Sequence, residues 1–382
     1  MEKNKIGILG VGAMGKIAAK DLAKSFKGKV VYLVRDRNSV KYLAKKYNAE
    51  VRYADVAKPE TLVKALKGIN VVIHAIHHEF NLVVMNACLK TKTHYLDLGG
   101  LFYYTKKQLK LHNKFKKANL IAVVGMGASP GITNVLAKYA SKFFDKINNI
   151  AIRIGYKDFS DYKKESPLSS SYSIQTILEE CSWKPAVFVN GKTIFVEPIS
   201  GRKEYKFPEP IGIQKPQYTI HSEIATLPFT LKAKNASFKI AFDDDFVDKV
   251  ESLKTLGFLS DKNVTVKRNK INVKFATSEV LKKLPKPIRE HTHEYEVIRV
   301  ILEGTKGNKK KTIIMDAKIE GINEGIDKDT GVPPSIVAQM ILDEKINKYG
   351  VYPPESIVPE EDFFKELGKR GIYIFMDGKK IN

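Results

Sequence analysis

The chain reads as an α/β protein: a doubly wound parallel sheet followed by an α+β domain. Three observations predict this. Ile6, Ile8, Leu9 and Val11 form a short apolar run that passes into Gly10, Gly12 and Gly15, and a helical pattern (Ala13, Ile17, Ala18, Leu22) starts at once. Further uninterrupted apolar runs alternate with helical patterns up to about residue 143, as strands covered on both faces require. From about residue 148 longer alternating strands replace that rhythm.

Each element can be justified in order. Gly10 permits a tight turn, Gly12 lets backbone approach a pyrophosphate, and Gly15 lets the helix pack on the strand. The unpaired N–H groups of the helix start, at Ala13 and Met14, favour an anion. The second strand, 29–34, ends in Arg35-Asp36-Arg37, where a dinucleotide's adenosine ribose would lie. Arg35 directly after the apolar run favours a 2′-phosphate and hence NADP; Asp36 keeps NAD open. A helix around 40–47 leads to strand 51–54 and Asp55, an acid placed near an adenine. Pro59-Glu60 opens helix 59–67.

Strand 71–75 ends at Ala75 and is followed by His77-His78-Glu79-Phe80-Asn81, in the crevice where open α/β sheets bind ligands. Ala75 and His77 are expected to line the cofactor, and no metal is expected there. Helix 81–90 leads to strand 94–98 and Asp97-Leu98-Gly99-Gly100; helix 105–118 leads to strand 120–124. Pro130, Gly131 and Asn134 then open helix 132–143 and make a second anion-binding helix start.

Beyond it, 150–156 alternates, 172–181 looks helical, and 264–275 and 295–302 read as strands, the latter paired through 304–308 with 312–319. Residues 333–348 form a helix entered through Pro333-Pro334. The expected domains are 1–130 for the dinucleotide, 131–332 for substrate and dimerisation, and 333–382 packing back on the first.

Composition bounds the function. Lys and Arg total 65 against 42 Asp and Glu, a net charge of +23. The lysines are scattered without an interleaved aromatic ladder, so a solvated surface is expected and not a nucleic-acid interface. No apolar run reaches the ~18 residues a membrane span needs. Cys88 and Cys181 are too few for a disulfide framework or a zinc site. With a strand starting almost at Met1, a cytoplasmic protein is expected.

Five stretches together resemble the saccharopine dehydrogenase-like family, and within it the lysine 6-dehydrogenase branch: Gly10–Gly15, His94–Gly100, Ala128–Asn134, His221–Pro228 and Gly350–Glu355. Family relatives that form saccharopine often carry an acid before the Pro-Gly, where this chain has Ser129. The resemblance implies a Rossmann domain, an interrupting β-rich domain, and a homodimer or larger assembly. It also implies an NAD(P)-dependent reaction at the carbon–nitrogen bond of an amino acid or amine. Oxidative deamination at the lysine side-chain amine is the first expectation, and reductive condensation of an amine with a semialdehyde the alternative. A nucleotide-binding regulator without turnover is the non-enzymatic alternative. Such chemistry needs a proton acceptor for the amine. Asp97, His221 and Glu223 are the catalytic candidates, Asp97 and Glu223 to neutralise or position the amine and His221 to shuttle its proton, with Gly99, Gly100, Pro130, Gly131 and Asn134 holding substrate.

Overall fold

The computed structural model describes residues 4–168, 173–323 and 325–382. The strands β1 (Lys5–Leu9), β2 (Lys29–Val34), β3 (Glu50–Tyr53), β4 (Val71–His74), β5 (His94–Asp97) and β6 (Ile121–Val123) form a parallel sheet in the order β6-β5-β4-β1-β2-β3. A seventh strand, Gly350–Tyr352, adds in parallel outside β6. Alternate residues feed two cores: Val30, Tyr32 and Val34 face one, Val31 and Leu33 the other. The strand order reverses between β1 and β4, which opens the ligand crevice at their C-terminal ends.

The second sheet has nine strands and is mixed. Lys146–Asp158 lies at its centre, parallel to Asn235–Ile240 and antiparallel to His293–Lys306. The latter pairs along its whole length with Lys309–Ile322, turning through Gly307 as expected. The C-terminal segment returns to the first sheet through Gly350–Tyr352, then continues into the second, where Ile372–Met376 pairs with Lys309–Ile322. No helix among the described residues is long and apolar enough to cross a membrane.

Four expectations need correction. The helix placed at 105–118 starts earlier and is broken, into Leu101–Leu109 and His112–Lys117. The break lets the His112 ring meet the Gly350–Tyr352 strand, with Nδ1 3.1 Å from the Val351 carbonyl oxygen. The stretch 264–275 is not one strand. Asn263–Val266 and Asn269–Asn272 form a separate hairpin turned by left-handed Lys267 and Arg268 (φ 45° and 73°). Asn272 then caps helix Val273–Leu281 by accepting from the Phe275 N–H. The helix at 333–348 stops at Leu342, because Glu344 turns left-handed (φ 57°). The helix placed at 172–181 covers Ile174–Glu180; Tyr172 lies outside the described residues.

An acidic group sits where His293–Lys306 meets residues 326–329. The Glu294 carboxylate accepts from Arg289 (2.8 Å), Tyr156 (3.0 Å) and the Ile326 N–H (3.2 Å). Burial, then the charges of Asp329 and Glu294, push Asp327 up to about 7; burial pushes Asp329 up to about 6. Both stand above the ~3.9 of an unfolded aspartate. The folded chain therefore holds more protons than the unfolded chain between those values. The contribution is complete below the unfolded pKa and is lost as pH rises through about 6 to 7. The melting temperature should accordingly fall between pH 5 and pH 8. Asp329→Asn should flatten that fall, raising the pH 8 value by roughly 2 °C; an unchanged pH profile in scanning calorimetry would count against the protonated pair.

Candidate active site

The glycine loop forms a cradle with one open side. Gly10 has φ 88°, and a Cβ there would lie 2.1 Å from Ile76 Cγ2. A Cβ at Gly15 would lie 2.0 Å from the Gly10 carbonyl oxygen, so helix Ala13–Ser25 can approach only without it. A Cβ at Gly12 would meet nothing within 4 Å. Backbone closed at two glycines and open at the third fits a pyrophosphate at Gly12, over a helix start with no side-chain cap and no acid in its first turn. Ala13 and Met14 supply its first N–H groups.

The other expected cofactor residues follow the C-terminal ends of β2, β3 and β4. Arg35 is exposed directly beyond β2. The Asp36 carboxylate instead accepts from the Asn38 N–H at 2.9 Å, and Asp55 likewise from the Ala57 N–H at 3.0 Å, so both shape their own turns. Ala75 extends the β4–β1 ladder by donating to the Leu9 carbonyl.

Asp97 lies at the end of β5, 1% exposed. Oδ1 accepts from the Gly99 N–H (2.9 Å) and the Gly125 N–H (2.7 Å). Oδ2 accepts from Gln108 (2.5 Å), Tyr95 (2.8 Å) and Asn81 (3.3 Å). Five donors saturate a carboxylate's acceptor capacity of roughly four lone-pair sites. Neutralising or positioning an amine, as expected of Asp97, would need a lone pair that these donors already occupy. Asp97 instead fixes the loops 97–100 and 125–131 relative to one another.

Those loops receive the segment 219–226 from the second half of the chain. Ser222 Oγ accepts from Thr105 Oγ1 at 3.0 Å and lies 3.4 Å from the Gly100 N–H. Glu223, fully buried, accepts through Oε1 from Ser129 (2.6 Å) and Thr133 (2.9 Å). Ser129, directly before Pro130-Gly131, therefore donates to a buried acid of this segment. Asn134 Oδ1 accepts from the Gly131 N–H, and its Nδ2 donates to Glu355 at 2.8 Å. Pro130 packs against Gly99 and Gly125. The motif stretches near 97, 130, 221 and 355 thus meet in one corner.

His221 stacks on Phe238, with ring centroids 3.7 Å apart, between two acids. Its Nε2 is 3.7 Å from Glu180, and its Nδ1 is 3.5 Å from Glu223 Oε2. Burial alone would lower the pKa of this imidazole; the Glu180 charge and the contact with Glu223 reverse that and raise it. Burial opposes ionisation of Glu223, but His221 and Ser129 hold its pKa below the ordinary value. Both acids therefore favour the protonated form of His221 against the cost of its burial.

Glu179 and Glu180, missed in the sequence, end helix Ile174–Glu180, and both are buried. Adjacent acids at a helix C-terminus oppose its dipole, which is the signal that they need cationic partners. Glu180 faces His221. Glu179 Oε2 lies 3.2 Å from His77 Nε2 and 3.1 Å from His78 Nε2. The sequence pairs these histidines with Glu79, but Glu79 is the exposed outer partner, 3.5 Å from His77 Nδ1. Beside them opens a cavity of about 440 Å³ lined by Tyr103, Ser182, Trp183, Lys184 and Phe195. His78 is 5.0 Å from the Tyr104 ring and 6.2 Å from the Trp183 ring. Lys184 is paired with Glu197, so its charge is offset.

Residues 6–123 match the saccharopine dehydrogenase NADP binding domain, and residues 127–372 the saccharopine dehydrogenase C-terminal domain. The chain is 25% identical to the carboxyaminopropylagmatine dehydrogenase of Synechocystis, with 96% of each protein covered. It is 23% identical to the carboxynorspermidine synthase of Vibrio cholerae, covering 90% of this chain and 86% of that one. The apo saccharopine dehydrogenase (L-Glu forming) of Saccharomyces cerevisiae has the same fold, with a TM-score of 0.75 at 18% identity over 99% of this chain and 100% of that one. A homospermidine synthase from Legionella pneumophila, solved with NAD, gives 0.72 at 12% identity over 98% and 92%.

Proposed function

We propose that this chain, which belongs to the saccharopine dehydrogenase family, joins an amine to a small carbonyl-bearing acid by NAD(P)H-dependent reduction. The observation that carries this reading is the cleft of Tyr103, Trp183 and Phe195 beside the acidic helix end. In a chain of net charge +23, an apolar aromatic cleft with buried carboxylates next to it suits the cationic tail of a diamine or polyamine. The end-to-end relatives, named for carboxylated amines, support condensation over deamination of lysine.

The amine nitrogen adds to the carbonyl carbon, water leaves, and the resulting C=N bond is reduced to a secondary amine. Gly10, Gly12 and Gly15, with the first N–H groups of helix Ala13–Ser25, would hold NAD(P)H, which would supply the hydride. His221, protonated between Glu180 and Glu223, donates the proton that lets the carbonyl oxygen leave as water. Glu223 positions His221 and ties it to Ser129 and Thr133. Asp97 holds Gly99 and Gly125 at fixed separation, and Gly131–Asn134 form the wall beside them. Arg35, free of a turn role while Asp36 caps one, supports NADP(H) as the preferred cofactor.

The test is a spectrophotometric panel. Reduced cofactor should be consumed only when an amine (agmatine, a diamine or lysine) and an amino-acid semialdehyde are both present, and faster with NADPH than NADH. Reduction of NAD(P) with lysine alone would move the assignment to oxidative deamination.

A further inference from the structure

We propose that His77, His78 and Glu179 form a binding site for one divalent transition-metal ion of the zinc class. This goes beyond the proposed reaction but shares a residue with it, since Glu179 is one of the two carboxylates beside the aromatic cleft on which that reading rests. His77 and His78 leave the C-terminal end of β4, whereas Glu179 ends a helix 102 positions later in the chain. Their donor atoms lie within 4.8 Å of one another.

The spacing is that of a coordination shell. With metal–donor bonds of about 2.0–2.2 Å, tetrahedral donors stand roughly 3.3–3.5 Å apart. Here Nε2 of His77 and Nε2 of His78 stand 3.2 and 3.1 Å from the same carboxylate oxygen. One contact is a hydrogen bond, but the other is not aligned as one: His78 Nε2 is buried without a hydrogen-bond partner despite the 3.1 Å approach. A fourth atom shared by the three donors satisfies all of them at once.

His77 Nδ1 accepts from the Glu79 N–H at 3.4 Å and lies 3.5 Å from Glu79 Oε1; metal at Nε2 would place the proton on Nδ1 and turn it toward that carboxylate, as a metal-bound histidine ordinarily does. Two imidazoles and a carboxylate suit zinc, cobalt or nickel, and are poor partners for magnesium or calcium, which prefer oxygen donors. Three protein donors leave a fourth position for water or for a nitrogen or oxygen donor of a molecule in the adjacent aromatic cavity. Because the donors come from stretches 102 positions apart, the ion would also pin the helix end against the loop that follows β4.

The test is calorimetric titration of the EDTA-treated, dialysed full chain with Zn²⁺, alongside Co²⁺ absorption spectra. The expected result is one equivalent bound at micromolar or tighter affinity and an intense low-coordinate cobalt spectrum. Both should be weakened at least tenfold in each of His77→Gln, His78→Gln and Glu179→Gln, with Mg²⁺ giving no heat. Circular dichroism and melting of each variant separate lost binding from lost folding, and the milder Glu179→Gln serves if a histidine variant fails to fold. No one-equivalent binding by the wild type, or equal affinity in folded variants, would overturn the site. The condensation reaction is read separately on the wild type without added metal, so failure of the metal site and failure of that reaction are distinguishable.

Discussion

Exchanging Glu223 for glutamine should cut turnover about a hundredfold, a typical size for disabling proton transfer, while leaving cofactor affinity within about twofold. The side chain keeps its shape and an amide oxygen for Ser129 and Thr133, so the corner stays assembled. What is lost is the charge 3.5 Å from His221 Nδ1. Without it, burial weighs more heavily on the imidazolium, and its pKa falls. In the condensing direction the proton donor must be charged, so activity declines as pH rises through the His221 pKa. The alkaline limb of the kcat profile should therefore move to lower pH in the variant. A lower kcat with an unshifted limb would leave Glu223 a merely structural role.

The second large effect is expected at Gly12. Because a Cβ there meets nothing within 4 Å, Gly12→Val should fold, with a melting temperature near that of the wild type. The added side chain would occupy the space given to the pyrophosphate, raising the dissociation constant for NAD(P) by about a hundredfold, roughly 2.7 kcal/mol. Fluorescence titration of reduced cofactor and a thermal melt decide it. Normal affinity would remove the cradle from this loop. Gly15→Ala provides the contrast, since its Cβ would sit 2.0 Å from the Gly10 carbonyl oxygen and disturb the fold itself.

The parallel sheet was legible because its signals are local. An apolar run followed by Gly10, Gly12 and Gly15 carries both strand and turn within a dozen residues, and Gly307 marks its hairpin in the same way. The later elements misread were those where one capping or left-handed residue overrides periodicity. Asn272 starts a helix inside what looks like a strand, and Glu344 ends one inside a helical pattern. The site was legible in its parts but not in its partners. Asp97 stands out by its place at a strand end, yet only the fold shows Gln108, Tyr95 and Gly125 closing on it. Glu179 and Glu180 sit some forty or more residues from the histidine that one of them faces and a hundred from those of the other. Proximity in sequence therefore pointed to Glu79 instead. Their one local signal is electrostatic: two buried acids at the wrong end of a helix.

The most direct measurement of the central claim is the mass of the product formed from an isotopically labelled amine, a semialdehyde and NADPH. Condensation predicts a single new species equal to both substrates less one water plus two hydrogens, with the labelled nitrogen retained. Labelled nitrogen released as ammonia, with no joined product, would contradict it.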